Sequence, residues 1–124
     1  MKAISSIIIG YVGLVVSSVD VRAETTPIGF ITGNMLSQYC DAPAGTTENG
    51  LCKLYIGGVS DGVNLTNVRS HQTNRYFCLR QGVTLGQLGL IVVKYLKAHP
   101  EYLDLNAADL VIESLGQAFP CASK

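Results

Sequence analysis

The stretch from Thr84 to Pro100 leaves the fold least choice. Thr84 and Gln87 stand three apart, the spacing of a capping box. In that motif a threonine oxygen accepts from a backbone N–H while the glutamine reaches back to the threonine N–H. The helix this opens runs to about His99, where Pro100 stops it. Leu85, Leu88, Val92, Tyr95 and Leu96 share one face at helical spacing. Leu90, Ile91 and Val93 widen the stripe beyond a half-buried face. A helix so broadly apolar needs cover on two sides, from other helices of the chain or from a second copy.

What can supply that cover is bounded by length. The chain has 124 residues, which favours one domain. Residues 1–23 have the form of a secretory signal. Lys2 is the n-region charge, Ile4 to Val19 is mostly apolar, and Val21-Arg22-Ala23 has the small-residue form of a cleavage site. The expectation is removal after Ala23, leaving residues 24–124 as the mature domain with no membrane segment. An uncleaved anchor is the alternative. Nine Lys+Arg balance nine Asp+Glu. A neutral chain without tryptophan or an aromatic–basic ladder argues against nucleic acid as partner.

All four cysteines, Cys40, Cys52, Cys78 and Cys121, follow the signal. An even count in a small secreted domain reads as two disulfides. The wide gaps, with no Cys-x-x-Cys knuckle and no paired histidines, argue against zinc. No motif calls for a cofactor.

Around the central helix the expectation is a small all-α bundle of about four helices. A short helix begins at Thr32-Gly33-Asn34 and ends at Cys40, and Asp41–Gly50 reads as a loop. A second helix spans about Leu51 to Leu65, with Cys52, Tyr55, Ile56, Val59 and Val63 inward. Gly57, Gly58 and Gly62 weaken it by roughly 1 kcal/mol each relative to Ala. They suit close approach of another helix, and no phosphate-loop pattern surrounds them. A last helix is capped by Asn106, with Asp109 in its first turn and Ala108, Ile112, Leu115 and Phe119 inward. Cys40 then ends one helix where Cys52 opens the next, and Cys78 precedes the central helix while Cys121 follows the last. Of the three connectivities, this layout favours Cys40–Cys52 with Cys78–Cys121.

Catalytic sets are thin. Ser70 and His71 are sequence neighbours with Asp61 a helix away, which provides neither a rigid nucleophile turn nor an oxyanion hole. His99 ends a helix, where a cation suits the dipole. The acids are scattered singly. The expectation is a protein without catalytic residues. The longest polar stretch, Asn64 to Tyr76, includes Arg69, His71, Asn74, Arg75 and Tyr76, rich in donors and in residue types enriched at binding hot spots. It is either a solvated connector or a binding loop.

Five blocks in order carry a family resemblance: Cys52 to Gly62, Phe77-Cys78-Leu79, Gly82 to Leu88, Val93 to Leu96 with His99-Pro100-Glu101, and Ala118-Phe119-Pro120-Cys121. Together with Thr32-Gly33-Asn34, they make the chain resemble the Rap/Tai family of periplasmic immunity proteins of type VI secretion. The resemblance implies a disulfide-stapled helical fold similar to the Hde-type periplasmic proteins, usually a homodimer. It also implies a periplasmic role, binding a peptidoglycan amidase effector and occluding its active-site cleft with a protruding loop. The Arg69–Tyr76 stretch, which matches none of the blocks, is the loop placed to do so. Arg80-Gln81 departs from the family pattern, in which a proline often follows the Cys-Leu pair. A periplasmic acid-stress chaperone, or an orphan binding protein of the same fold, is the alternative function.

Overall fold

The computed structural model describes residues 29–69 and 75–122. Their order is α1 (Gly33–Asp41), α2 (Thr47–Arg69), α3 (Leu85–Ala98), a short 3-10 turn (Pro100–Tyr102) and α4 (Ala107–Ala118). No strand occurs among them, only an isolated bridge between Thr32 and Asn106. The fold is therefore the all-α, disulfide-stapled bundle the sequence predicts. The signal at residues 1–23 lies outside the described residues. No helix among the described residues is long and apolar enough to cross a membrane.

The caps fall where local chemistry demands. Gln87 N–H donates to Thr84 Oγ1 at 3.3 Å and Thr84 N–H donates to Gln87 Oε1 at 2.8 Å, the reciprocal capping box. Asn106 Oδ1 accepts from Ala108 N–H at 2.8 Å. α3 ends at Ala98, and Pro100 opens the 3-10 turn.

α2 is longer than expected at both ends. Thr46 Oγ1 accepts from Asn49 N–H at 3.3 Å, and Glu48 sits in the first turn where the dipole favours an acid. A stretch of loop-like composition thus becomes the helix start. At the other end Asn67 Nδ2 donates to Phe77 O at 3.4 Å, tying the last turns to the returning chain. Arg69 closes the helix at its negative end.

The core joins all four helices, with Leu36, Ile56, Phe77, Val92, Leu96, Val111 and Leu115 sealed from solvent. On α3, Leu88, Gly89, Val92 and Leu96 are buried, whereas Tyr95 is half-buried and Leu85 exposed on the rim. On α4 the inner face is rotated from the expected one. Ala107, Leu110, Val111, Ser114 and Leu115 are buried, while Ala108 and Ile112 are half-buried. The chain before α1 sets that rotation, because Ala107 N–H donates to Ile31 O at 2.9 Å. On α2, Tyr55 and Val59 are half-buried and Ser60 is buried in their place. Ser60 Oγ–H donates to Ile56 O at 2.7 Å, so its burial strands no polar group. Of the three α2 glycines, Gly57 alone serves close approach within the chain, with a Cβ placed there lying 3.3 Å from Leu85 Cδ1.

Both disulfides pair as the helix layout predicts. Cys40–Cys52 joins α1 to α2 and Cys78–Cys121 joins the chain before α3 to the chain after α4. Gly33 is the most crowded of the helical glycines among the described residues. Its N–H donates to Leu105 O at 2.9 Å. A Cβ there would stand 2.5 Å from Leu110 Cδ1 and 2.9 Å from both Leu103 Cα and Leu103 O. The leucine methyl can turn aside, but backbone cannot. Gly33→Ala is expected to cost about 2 kcal/mol, in the range of overpacked cores, and to lower Tm by roughly 8–16 °C. Gly50→Ala, where the added methyl meets nothing within 4 Å, supplies the opposite sign through helix propensity. Paired thermal melts check both directions.

Candidate partner-binding surface

The polar stretch singled out in the sequence is described at its two ends. On one side Arg69 is the exposed last residue of α2. On the other, Arg75 and Tyr76 are exposed and Phe77 is wholly buried. His71 and Asn74 lie outside the described residues. The stem at Phe77 is held in four ways. Its ring sits in the core, and its carbonyl accepts from Asn67. Cys78 N–H donates to Phe119 O at 2.9 Å, and Cys78 is bonded to Cys121. Tyr76 O lies so close to α4 that a Cβ on Gly116 would stand 3.1 Å from it. Arg75 and Tyr76 are thus displayed at the edge of a rigid stem, an arrangement that limits the ordering entropy lost on binding.

Beside the stem lies a shallow depression of about 320 Å³ lined by Arg80, Val83, Gln87, Leu90, Ile91 and Phe119. The Arg80 guanidinium stands over the Phe119 ring, 5.6 Å from its centroid, a cation–π contact. Leu90, which the sequence places among the residues widening the core stripe, is 73 % exposed here. Helical periodicity could not separate it from Ile91 and Val92, since all three are apolar neighbours in one run.

Of the residues weighed for catalysis, Asp61 and His99 lie among the described residues. Asp61 is exposed on α2, and Ser70 and His71 lie outside the described residues. His99 is engaged structurally. Its ring stacks on Tyr95 at 4.2 Å and on Tyr102 at 5.7 Å between centroids, and Nδ1 is 2.9 Å from Tyr95 O. Burial raises the Tyr95 hydroxyl above its ordinary pKa, and Glu113, Tyr102 and Glu101 push the same way, so the phenol stays neutral at physiological pH. Among the described residues no group of His, Cys, Asp and Glu could hold a metal ion. What the surface offers is shape, a tyrosine and arginines, the material of a binding site.

The sequence matches the family model of the Rap1a immunity proteins over residues 32–121. No curated protein matches it. The matched region begins at Thr32, the cap of α1, and ends at Cys121, the last disulfide cysteine, so it coincides with the stapled bundle. The chain belongs to the Rap1a immunity protein family.

Proposed function

We propose that this protein is a periplasmic inhibitor that binds a type VI secreted peptidoglycan amidase and occludes its active-site cleft. Membership of the family implies immunity to a type VI effector, and the two disulfides fit an oxidising compartment. The amidase as target is the finer step. In this reading residues 1–23 direct export and are removed after Ala23, residues 24–124 form the working domain, and that domain is a homodimer without catalytic activity of its own.

The observation that carries the reading is the stem at Phe77. A groove-filling loop must enter an enzyme cleft without melting, and the Arg69–Tyr76 segment returns to the bundle at a wholly buried phenylalanine next to a disulfide. Arg75 and Tyr76 project where the segment leaves that anchor. His71 and Asn74 complete the proposed contact set with Arg69.

The test is a titration of purified protein into an amidase effector encoded by the same genome, followed by residual activity. Stoichiometric inhibition is expected. Arg75→Glu should weaken binding by about 30-fold or more, the effect of losing a 2 kcal/mol hot spot. Its Tm should hardly change, because Arg75 is exposed. Unchanged affinity in this variant would remove the loop from the mechanism.

A further inference from the structure

The outer face of α2 is nearly as apolar as its inner one. Leu51, Leu54, Leu65 and Val68 are 45, 69, 51 and 71 % exposed. At 3.6 residues per turn they fall on one side of the helix, opposite Cys52, Ile56, Ser60 and Val63. Between them lie Gly58 and Gly62, where an added Cβ would meet no atom within 4 Å. Exposed leucines around bare glycines give a lone helix nothing. The leucines leave apolar surface in water, and each glycine weakens the helix by about 1 kcal/mol.

The order of residues along this stripe identifies what covers it. Leu51 and Val68, and Leu54 and Leu65, each sit symmetrically about the midpoint between Val59 and Ser60, and Gly58 and Gly62 flank that midpoint on either side. A two-fold contact is made by one surface meeting itself, so residue i of one copy touches residue j of the other and j touches i. Laying two copies of α2 antiparallel about that centre sets Leu54 beside Leu65 of the second copy and leaves room for close approach at the glycines. Charge follows the same symmetry. Glu48 stands at the start of α2 and Arg69 at its end, toward the same flank of the stripe. The antiparallel arrangement brings Arg69 within about one helical turn of Glu48 of the second copy. It also sets unlike ends of the two helix dipoles side by side. A parallel pair of α2 helices would put like ends of the dipoles together and set Glu48 beside Glu48 and Arg69 beside Arg69.

We infer that the outer face of α2 is the contact between two copies of this chain, crossing antiparallel at Gly58 and Gly62 and centred on Val59–Ser60. The inference rests on the homodimer of the proposed function and gives that dimer its surface. One residue opposes it. Asp61 lies opposite Gly58 of the second copy and within about one helical turn of that copy's Asp61, like charge near like.

Sedimentation of the secreted, disulfide-bonded protein over a range of concentrations tests this. Wild type is expected to run as a dimer that dissociates on dilution. Leu54→Glu and Leu65→Glu should each weaken association by at least about 30-fold, with helical content unchanged because both side chains are exposed. Asp61→Asn should tighten it a few-fold, a change that general damage to the fold would not produce. A dimer that survives both glutamate substitutions would overturn this surface and leave the homodimer standing elsewhere. A wild-type protein that is monomeric throughout would overturn both the surface and the dimer, without touching inhibition of the amidase, which the titration measures separately.

Discussion

Replacing Cys78 and Cys121 together with serine is expected to destabilise the domain by about 4 kcal/mol, the larger of the two disulfide losses. The bond closes a span of 43 residues, against 12 for Cys40–Cys52. In the chain-entropy account the cost grows with the logarithm of the closed loop, giving about 4 and about 3 kcal/mol. Small domains have only about 5–15 kcal/mol in hand. Each kcal/mol corresponds to about 4–8 °C in a domain of this size, so Tm should drop by roughly 15–30 °C. The long bond also holds the stem of the proposed binding loop, since Cys78 is the residue after Phe77. Loss of Cys78–Cys121 should therefore harm effector binding, whereas the Cys40–Cys52 variant, altered at the far end of α1, should still bind wherever it is folded. Thermal melts of the two double variants, with the same titration at low temperature, separate the effects. A larger loss from the Cys40–Cys52 pair would contradict this ranking.

Phe77→Ala should cost about 3–5 kcal/mol, the usual range for emptying a fully buried aromatic site. Phe77 belongs to no helix, yet it is the largest of the wholly buried side chains. The cavity would open under the chain between α2 and α3, where collapse is restrained on one side by Cys78–Cys121 and on the other by the Asn67 hydrogen bond. Phe77→Leu keeps most of the apolar volume and should retain more than half of the lost stability. Chemical denaturation of the three proteins gives the comparison. A near-neutral alanine variant would mean that the stem is not anchored by packing, and the display of Arg75 and Tyr76 on a rigid stem would lose its physical basis.

Much of this architecture is local chemistry and is legible without coordinates. The Thr84–Gln87 box, the Asn106 cap and the Pro100 stop are decided within a few residues, and the structure places all three as expected. The disulfide pairing follows once the helix order is known: Cys40 near the end of α1 faces Cys52 in the second turn of α2, and Cys78 and Cys121 lie in the segments before α3 and after α4. What local pattern does not contain is the rotation of a helix whose apolar stripe is wider than the surface that receives it. α4 offers Ala107, Ala108, Leu110, Val111 and Ile112, and the contacts with the chain around the start of α1, the Ala107–Ile31 hydrogen bond among them, choose between them. Leu90 and Leu85 show the same limit on α3, where bulk alone cannot say which side faces the bundle.

The start of α2 was hidden for a different reason. Thr46-Thr47-Glu48-Asn49-Gly50 has loop composition, but a threonine cap, a first-turn acid and a tolerated glycine describe a helix start equally well. For the proposed binding loop, residue types drew attention to Arg75 and Tyr76. Composition gave no warning that Phe77, two residues beyond Arg75, is the anchor, since one aromatic in a polar connector can be core or surface. The palindrome on the outer face of α2 was present in the letters, but its meaning depends on knowing that this side of the helix is bare.

Inhibition of a cell-wall amidase can be read in living cells by a protection assay. An amidase effector of the same genome is directed to the periplasm with and without this protein, and lysis is followed. Wild type is expected to restore growth, and Arg75→Glu, produced at the same level, is not. If wild type fails to protect against every amidase effector that genome encodes, the fold serves another target and the amidase reading is wrong.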